Sequence, residues 1–273
     1  MIRDLHTHTN ASDGHLPPQA LLAFAARHGV DQIAITDHDT VNAYDQLTLE
    51  DDFAITLIPG IELSTTWQGR SIHIVGLNID LRNPALLGGI ARQQQARDER
   101  ARTIAERLTR LDIDNPYAAV KALAGEAGIG RPHFASHLVK IGKVRDTQAA
   151  FQKYLGTGKI GDVIQGWASM ADVIDWITKA GGVPVLAHPA KYRFTMTKLR
   201  ALLADFKAYG GLGVEVVCGR QEPDLTRRLA NIAIDLDLLA STGSDFHHPD
   251  NKWSRPGGFS PLPDNVVPVW DRW

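Results

Sequence analysis

The chain has 273 residues, enough for one large barrel or a core with an insert. Its 44% hydrophobic and 22% charged residues are ordinary for a soluble enzyme, and a formal net charge of -2 gives no global pull toward nucleic acid or membrane. The single cysteine, Cys218, excludes an intrachain disulfide and a Cys₄ metal site, no run approaches the ~20 apolar residues of a membrane span, and Met1-Ile2-Arg3-Asp4 carries no signal-peptide pattern, so a reducing, cytoplasmic setting is expected.

Residues 2–8 read as a strand, and 17–28 as a helix with Pro17 and Pro18 in its first turn. The β-branched run 32–36 predicts a second strand, 55–64 a third and 71–77 a fourth, with Gln68-Gly69 as a tight turn. From about Pro84 to Lys153 no strand pattern occurs. Ala101, Ile104, Ala105, Leu108 and Leu111 recur there at helical spacing, which predicts a helical insert over 84–153 between barrel segments 1–83 and 154–273. Alternation then resumes: helix 169–180, strand 183–187, helix 196–209, strand 213–217, helix 224–234 and strand 238–241. Such alternation predicts an α/β fold with a parallel sheet or barrel, and the Pro-rich tail from Pro256 reads as a surface wrap.

Potential metal ligands follow the strands. His6 and His8, then Asp13, come after the first, Asp37-His38 after the second, and Glu62 closes the third. His73 lies in the fourth, His188 follows Val185-Leu186-Ala187, and Asp245-Phe246-His247 follows the last. Strand ends of a β/α barrel share one mouth, so residues scattered along the chain would converge there. His-x-His along a strand puts both imidazoles on one face, and Asp245-x-His247 repeats that spacing. Any one of these residues alone would read as a cap, a turn carboxylate or a surface pair. Six of the 11 histidines with three carboxylates, all in or after strands, argue for a metal centre built from nitrogen and oxygen donors. Ligands as early as His6 also leave little that could be cleaved ahead of them.

His6-Thr7-His8-Thr9, Ser12-Asp13-Gly14, Ala34-Ile35-Thr36-Asp37-His38-Asp39, Pro59-Gly60-Ile61-Glu62, His73-Ile74, Ala187-His188-Pro189 and Gly243-Ser244-Asp245-Phe246-His247 resemble, in order, the motifs of the polymerase-and-histidinol-phosphatase (PHP) superfamily. The resemblance implies a distorted (β/α)7 barrel, with the helical insert over its mouth, and two or three divalent ions. Mn²⁺ is expected first, because Asp13 stands where some members have His, with Zn²⁺ or Fe²⁺ as the other candidates. One implied metal uses His6, His8, Glu62 and Asp245, a second Glu62, His73 and His188, and a third Asp13, His38 and His247. Asp13, His38, Asp245 and His247 are the expected catalytic residues.

The nearest likeness is to stand-alone members associated with tryptophan genes, which share Gly130-Arg131-Pro132-His133 and His188-Pro189-Ala190-Lys191-Tyr192. It implies removal of the 3′-phosphate of nucleoside 3′,5′-bisphosphates by a metal-bridging hydroxide, or 5′–3′ exonuclease action on short RNA. Histidinol-phosphate hydrolysis, an amidohydrolase or a non-catalytic PHP module are the alternatives. The last would have lost ligands, whereas all nine positions are filled. The expected partners are small nucleotides or short oligoribonucleotides, with no membrane and no obligate protein partner. Arg131, His133 and Lys191 are expected to bind substrate. Arg97 lies within the apolar stripe and Arg100 flanks it, so each needs an anion, either a carboxylate or a substrate phosphate. His15, His28, His137 and His248 read as surface or helix-packing residues. The near-neutral charge offers no obvious strand groove for a processive nuclease.

Overall fold

The computed structural model describes residues 1–47, 55–114, 116–125, 127–164, 166–251 and 253–273, so Asn115 and Glu126 of the expected insert lie outside the described residues. Seven strands pair in chain order: β1 (Arg3–Thr7), β2 (Gln32–Ile35), β3 (Thr56–Trp67), β4 (Arg70–Leu77), β5 (Val183–Leu186), β6 (Gly213–Cys218) and β7 (Leu239–Gly243). Thr7 bridges Phe246, and the Asp245 N–H donates to His6 O at 2.8 Å, which nearly closes the sheet into a distorted β/α barrel.

The sheet is not wholly parallel. β4 runs antiparallel to both β3 and β5. The cause is local: Gln68 and Gly69 both adopt positive φ, 46° and 71°, the two-residue turn that folds consecutive strands into a hairpin. β4 therefore starts at the mouth, and His73, early in the strand, lies on that side.

Helix α1 (Pro18–Arg27) packs outside β2, where Leu21, Leu22 and Ala25 meet Ile33 and Ile35. On β3 and β4, Ile58, Val75 and Leu77 share the strand face of Glu62 and His73 by even spacing. These three join Leu5, Ala34 and Val185 in an apolar layer beneath the candidate ligands. The tail is more than a wrap. It ends by burying Val269 in this layer with Trp270 and Trp273 against it, because the open end of a barrel exposes apolar side chains that need cover.

Helix α2 (Pro84–Thr109) begins with the Asn83 side chain accepting from the Ala85 and Leu86 N–H groups. Its Ala101, Ile104, Ala105 and Leu108 pack with residues of α3 (Pro116–Ala124), α4 (Arg131–Lys140) and α5 (Thr147–Ala150) and with Leu155 and Val163. Leu111, expected on that stripe, falls beyond the helix end and is exposed. Helices α6 (Met170–Lys179), α7 (Met196–Ala208) and α8 (Pro223–Asp235) cover the main core outside β3–β7. No helix among the described residues is long and apolar enough to cross a membrane.

Candidate metal centre

All nine sequence-predicted ligands meet at the mouth. Glu62, fully buried, is the hub: Oε1 lies 3.0 Å from His73 Nδ1 and 2.9 Å from His188 Nε2. Its Oε2 lies 2.8 Å from His38 Nδ1, 3.3 Å from His8 Nε2 and 3.4 Å from His6 Nε2. Asp245 Oδ1 is 3.3 Å from His8, 3.6 Å from His6 and 3.4 Å from His247. Asp13 completes the far side, 3.3 Å from His247, 3.8 Å from His38 and 3.9 Å from His8. Donor atoms within 4.8 Å of one another form three groups: His8, Asp13, His38 and His247; His6, His8 and Asp245; and His38, Glu62 and His73. His8 thus also belongs to the Asp13 group and His38 to the Glu62 group, a finer partition than the ordered motifs imply.

The donors suit divalent cations. The Nδ1 atoms of His8 and His188 are buried with no hydrogen bond, which is costly unless something else uses their lone pairs. Burial, reinforced by His247 and His38, pushes His8 well below the usual imidazole range, and burial lowers His73 to about 4. Burial raises Glu62, but His38, His6 and His73 outweigh it and hold the carboxyl well below the usual range. Burial lowers His6 and His38 too, but Glu215 and Glu62 outweigh it at His6, and Glu62 and Asp13 at His38, so both are raised and would release a proton on taking a metal, which binds neutral imidazole. His188 (φ 29°) and Asp245 (φ 52°) sit in left-handed backbone, strained for non-glycine residues and often found at functional sites.

A cavity of about 250 Å³ lies over these groups, walled by Arg97 and Arg100 of α2, Gly130 and Arg131 at the start of α4, Phe151 and Trp167. Of the two readings for Arg97, the carboxylate is the one found: Nη2 donates to buried Asp39. Arg100 is buried, donates Nε to Val163 O, and has no carboxylate within 4.0 Å among the described residues. Burial, with Arg131 and Arg97 nearby, lowers it to about 9. Arg131 lies 3.5 Å from Asp162 and donates to Leu155 O. Lys191 pairs with Asp245. His133 is turned to the Gly130 N–H, 3.0 Å away, and lines none of the cavities described. The His15 and His248 rings lie tilted against each other, 4.3 Å between centroids.

The PHP domain family model matches residues 4–178. The chain belongs to the PHP domain family. It is 42% identical over 270 residues to a 5′-3′ exoribonuclease of Haemophilus influenzae, covering 98% of each chain. It is 38% identical to a 3′,5′-nucleoside bisphosphate phosphatase of Chromobacterium violaceum over 98% of this chain and 94% of that one. A solved structure of an amidohydrolase from Chromobacterium violaceum with bound sulfate superposes with a TM-score of 0.91, at 37% identity over 99% of this chain and 95% of the other. This PHP protein is a metal-dependent hydrolase of phosphoester bonds.

Four buried carboxylates around the PHP site are absent from the expected site residues. Glu215 on β6 accepts from His6 Nδ1 at 2.7 Å and from the backbone N–H of His188. Asp37 accepts from Thr9 N–H (2.8 Å) and Thr9 Oγ1 (2.6 Å), fixing the loop that carries Asp13. Asp4 accepts from the N–H groups of Ser244 (2.8 Å) and Gly257 (3.0 Å) beside Asp245. Asp39 accepts from Ser64 N–H (2.7 Å), Ser64 Oγ (2.8 Å) and Gln93 Nε2 (3.0 Å) besides Arg97. Burial raises both Asp4 and Asp37 to about 6. Gly243 is needed where it stands, since a Cβ there would overlap His6 Cβ. Burial pushes the Cys218 thiol up to about 12, and Cys218 belongs to none of the three donor groups.

Proposed function

We propose that the protein removes the 3′-phosphate of nucleoside 3′,5′-bisphosphates. The observation that carries this is Arg100: a buried guanidinium without a carboxylate partner among the described residues, on a cavity wall shared with the His and Asp cluster. A buried cation without its anion is unfavourable, and a second phosphate on the substrate relieves it. One phosphate at the cluster and another near Arg100 and Arg131 select a bisphosphate over a monophosphate. Histidinol phosphate has a cation at that end, which this wall disfavours.

His6, His8, Asp13, His38, Glu62, His73, His188, Asp245 and His247 would hold two or three divalent ions, Mn²⁺ first. When bound, these would neutralise phosphate charge and ease deprotonation of the attacking water. In the hydrolysis water adds to phosphorus, the P–O3′ bond breaks, and a proton reaches the leaving oxygen. His247, 31% exposed, donates from Nδ1 to the Asp245 carbonyl oxygen (3.0 Å), which turns its Nε2 toward Asp13 and the other candidate ligands. Lys191 steadies the charge at Asp245, and Arg97 holds Asp39 and thereby the cavity wall.

The test is phosphate release by the Mn²⁺-loaded enzyme from adenosine 3′,5′-bisphosphate, 5′-AMP, 3′-AMP and histidinol phosphate. The bisphosphate should exceed both monophosphates by tenfold or more, on the order of one charge-assisted interaction. Equal rates on 3′-AMP and the bisphosphate contradict the role of Arg100.

A second reading, the removal of 5′ nucleotides from short RNA, breaks the same P–O3′ bond. It is favoured by a further lobe of the groove, about 190 Å³, that shares His73, His188 and Lys191 with the first.

A further inference from the structure

We propose that this second lobe is a single-stranded RNA platform for the nucleotide that follows the scissile phosphate, centred on Phe194. The inference rests on the second reading above. The lobe adjoins the cluster and is bounded by the Gln68-Gly69 hairpin turn, the segment after β5, and Arg131 and Asp162. If the first lobe holds the 5′-phosphorylated nucleoside and the cluster holds its 3′-phosphate, this adjoining lobe is open to the rest of the strand.

Its chemistry fits an RNA strand. An aromatic series steps outward from the candidate ligands: His188 to Tyr192, 5.4 Å between ring centroids, then Tyr192 to Phe194, 5.8 Å. Tyr192 has a structural task, since its hydroxyl accepts from the His73 N–H at 3.0 Å. Phe194 donates and accepts nothing and is half-buried at the lobe wall. Two cations lie against its ring, the Arg70 guanidinium at 5.5 Å and the Lys198 ammonium at 4.9 Å. Neither has a carboxylate within 4.0 Å among the described residues. The nearby acids are engaged: Asp162 lies 3.5 Å from Arg131, and Asp205 accepts from Trp67 Nε1 at 2.7 Å. Core packing alone explains an aromatic ring here. It does not explain two uncompensated cations against that ring, one of which, Arg70, lines a lobe open to the active site. A ring offering a stacking face, flanked by cations for the phosphates, is how single strands are held without reading sequence.

The experiment compares kcat/KM for a 5′-phosphorylated tetraribonucleotide and for adenosine 3′,5′-bisphosphate, using full-length Mn²⁺-loaded protein and the variants Phe194→Ala, Phe194→Trp and Arg70→Ser. Phe194→Ala should lower the tetranucleotide value about tenfold to a hundredfold, mainly through KM, and leave the bisphosphate within about twofold. Phe194→Trp should restore the tetranucleotide value, which a loss of packing alone would not predict. Arg70→Ser, at a rim position that carries little fold, should weaken the tetranucleotide by several-fold with reduced salt dependence. Parallel losses on both substrates place the 5′ nucleotide in this lobe and overturn the proposal, as does no loss on either. Wild-type protein that hydrolyses the bisphosphate but neither cleaves nor binds the tetranucleotide overturns the platform while leaving the phosphatase reading intact. Cleavage of the tetranucleotide without the bisphosphate reverses that outcome.

Discussion

Glu215 shows how one side chain can serve two ligands. Its Oε1 fixes His6 through Nδ1, which turns His6 Nε2 toward Glu62 and Asp245, while its other oxygen anchors the backbone of His188. Such outer partners typically account for about 10- to 100-fold in metal affinity. Glu215→Gln keeps the volume but replaces one acceptor with a donor, so either His6 or His188 loses its partner. Its affinity for Mn²⁺, measured by competition with a chelator dye, should fall by about that range with the circular dichroism spectrum unchanged. Unaltered affinity would leave Glu215 a packing residue. The nine candidate ligands were legible because they come in spaced pairs and ordered motifs. Glu215 was not, since Gly213-Val214-Glu215-Val216-Val217 reads as an ordinary strand. The signal present was a lone carboxylate between two valines, on the face they do not occupy, where an ionised group needs a partner. The partner of Arg97 was equally hidden, because Asp39 is 58 residues away in sequence.

At the scale of elements, α2 is joined to the barrel by a buried polar knot. Asp39 after β2 holds Ser64 of β3 and both Gln93 and Arg97 of α2. The helix that walls the cavity is thereby referenced to the two strands that supply His38 and Glu62. Removing one partner of a buried pair costs about 3–5 kcal/mol, because the other charge is left without compensation. Asp39→Asn should therefore lower unfolding free energy by about that much in urea titrations. Asp39→Asn combined with Arg97→Met should recover part of it, since the stranded guanidinium is gone. A double variant as unstable as the sum of the single ones would show that the two residues do not act as a pair. Element types were readable from period and punctuation: the 3.6-residue stripe of α2, the prolines opening α1, and the turn at Gln68-Gly69. Strand direction was not. An alternating α/β pattern argues for parallel neighbours, and only the two positive φ angles in that turn reverse β4.

For the whole molecule, the ends of the barrel meet along a line with little backbone pairing. β3 and β4 pair over eight residues, whereas β1 and the segment after β7 are joined by one bridge and a few bonds: Asp245 N–H to His6 O (2.8 Å), His8 N–H to Phe246 O (2.9 Å) and Thr242 Oγ1 to Arg3 O (2.8 Å). The candidate ligands straddle that seam, with His6 and His8 on one side and Asp245 and His247 on the other. An ion held by both sides stabilises only the closed seam, in proportion to RT ln(1 + [L]/Kd). Opening the seam breaks few backbone bonds, so it is a local event well below global unfolding in free energy. Stripping divalent ions with a chelator should therefore speed amide exchange at residues 5–8 and 243–247 more than in the β3–β4 hairpin, and Mn²⁺ should restore it. The hairpin supplies Glu62 and His73, so it is a demanding internal control: it shares the metals but has its own ladder. Equal acceleration in both regions would mean that the ions stabilise the fold globally and that closure of the barrel does not depend on them.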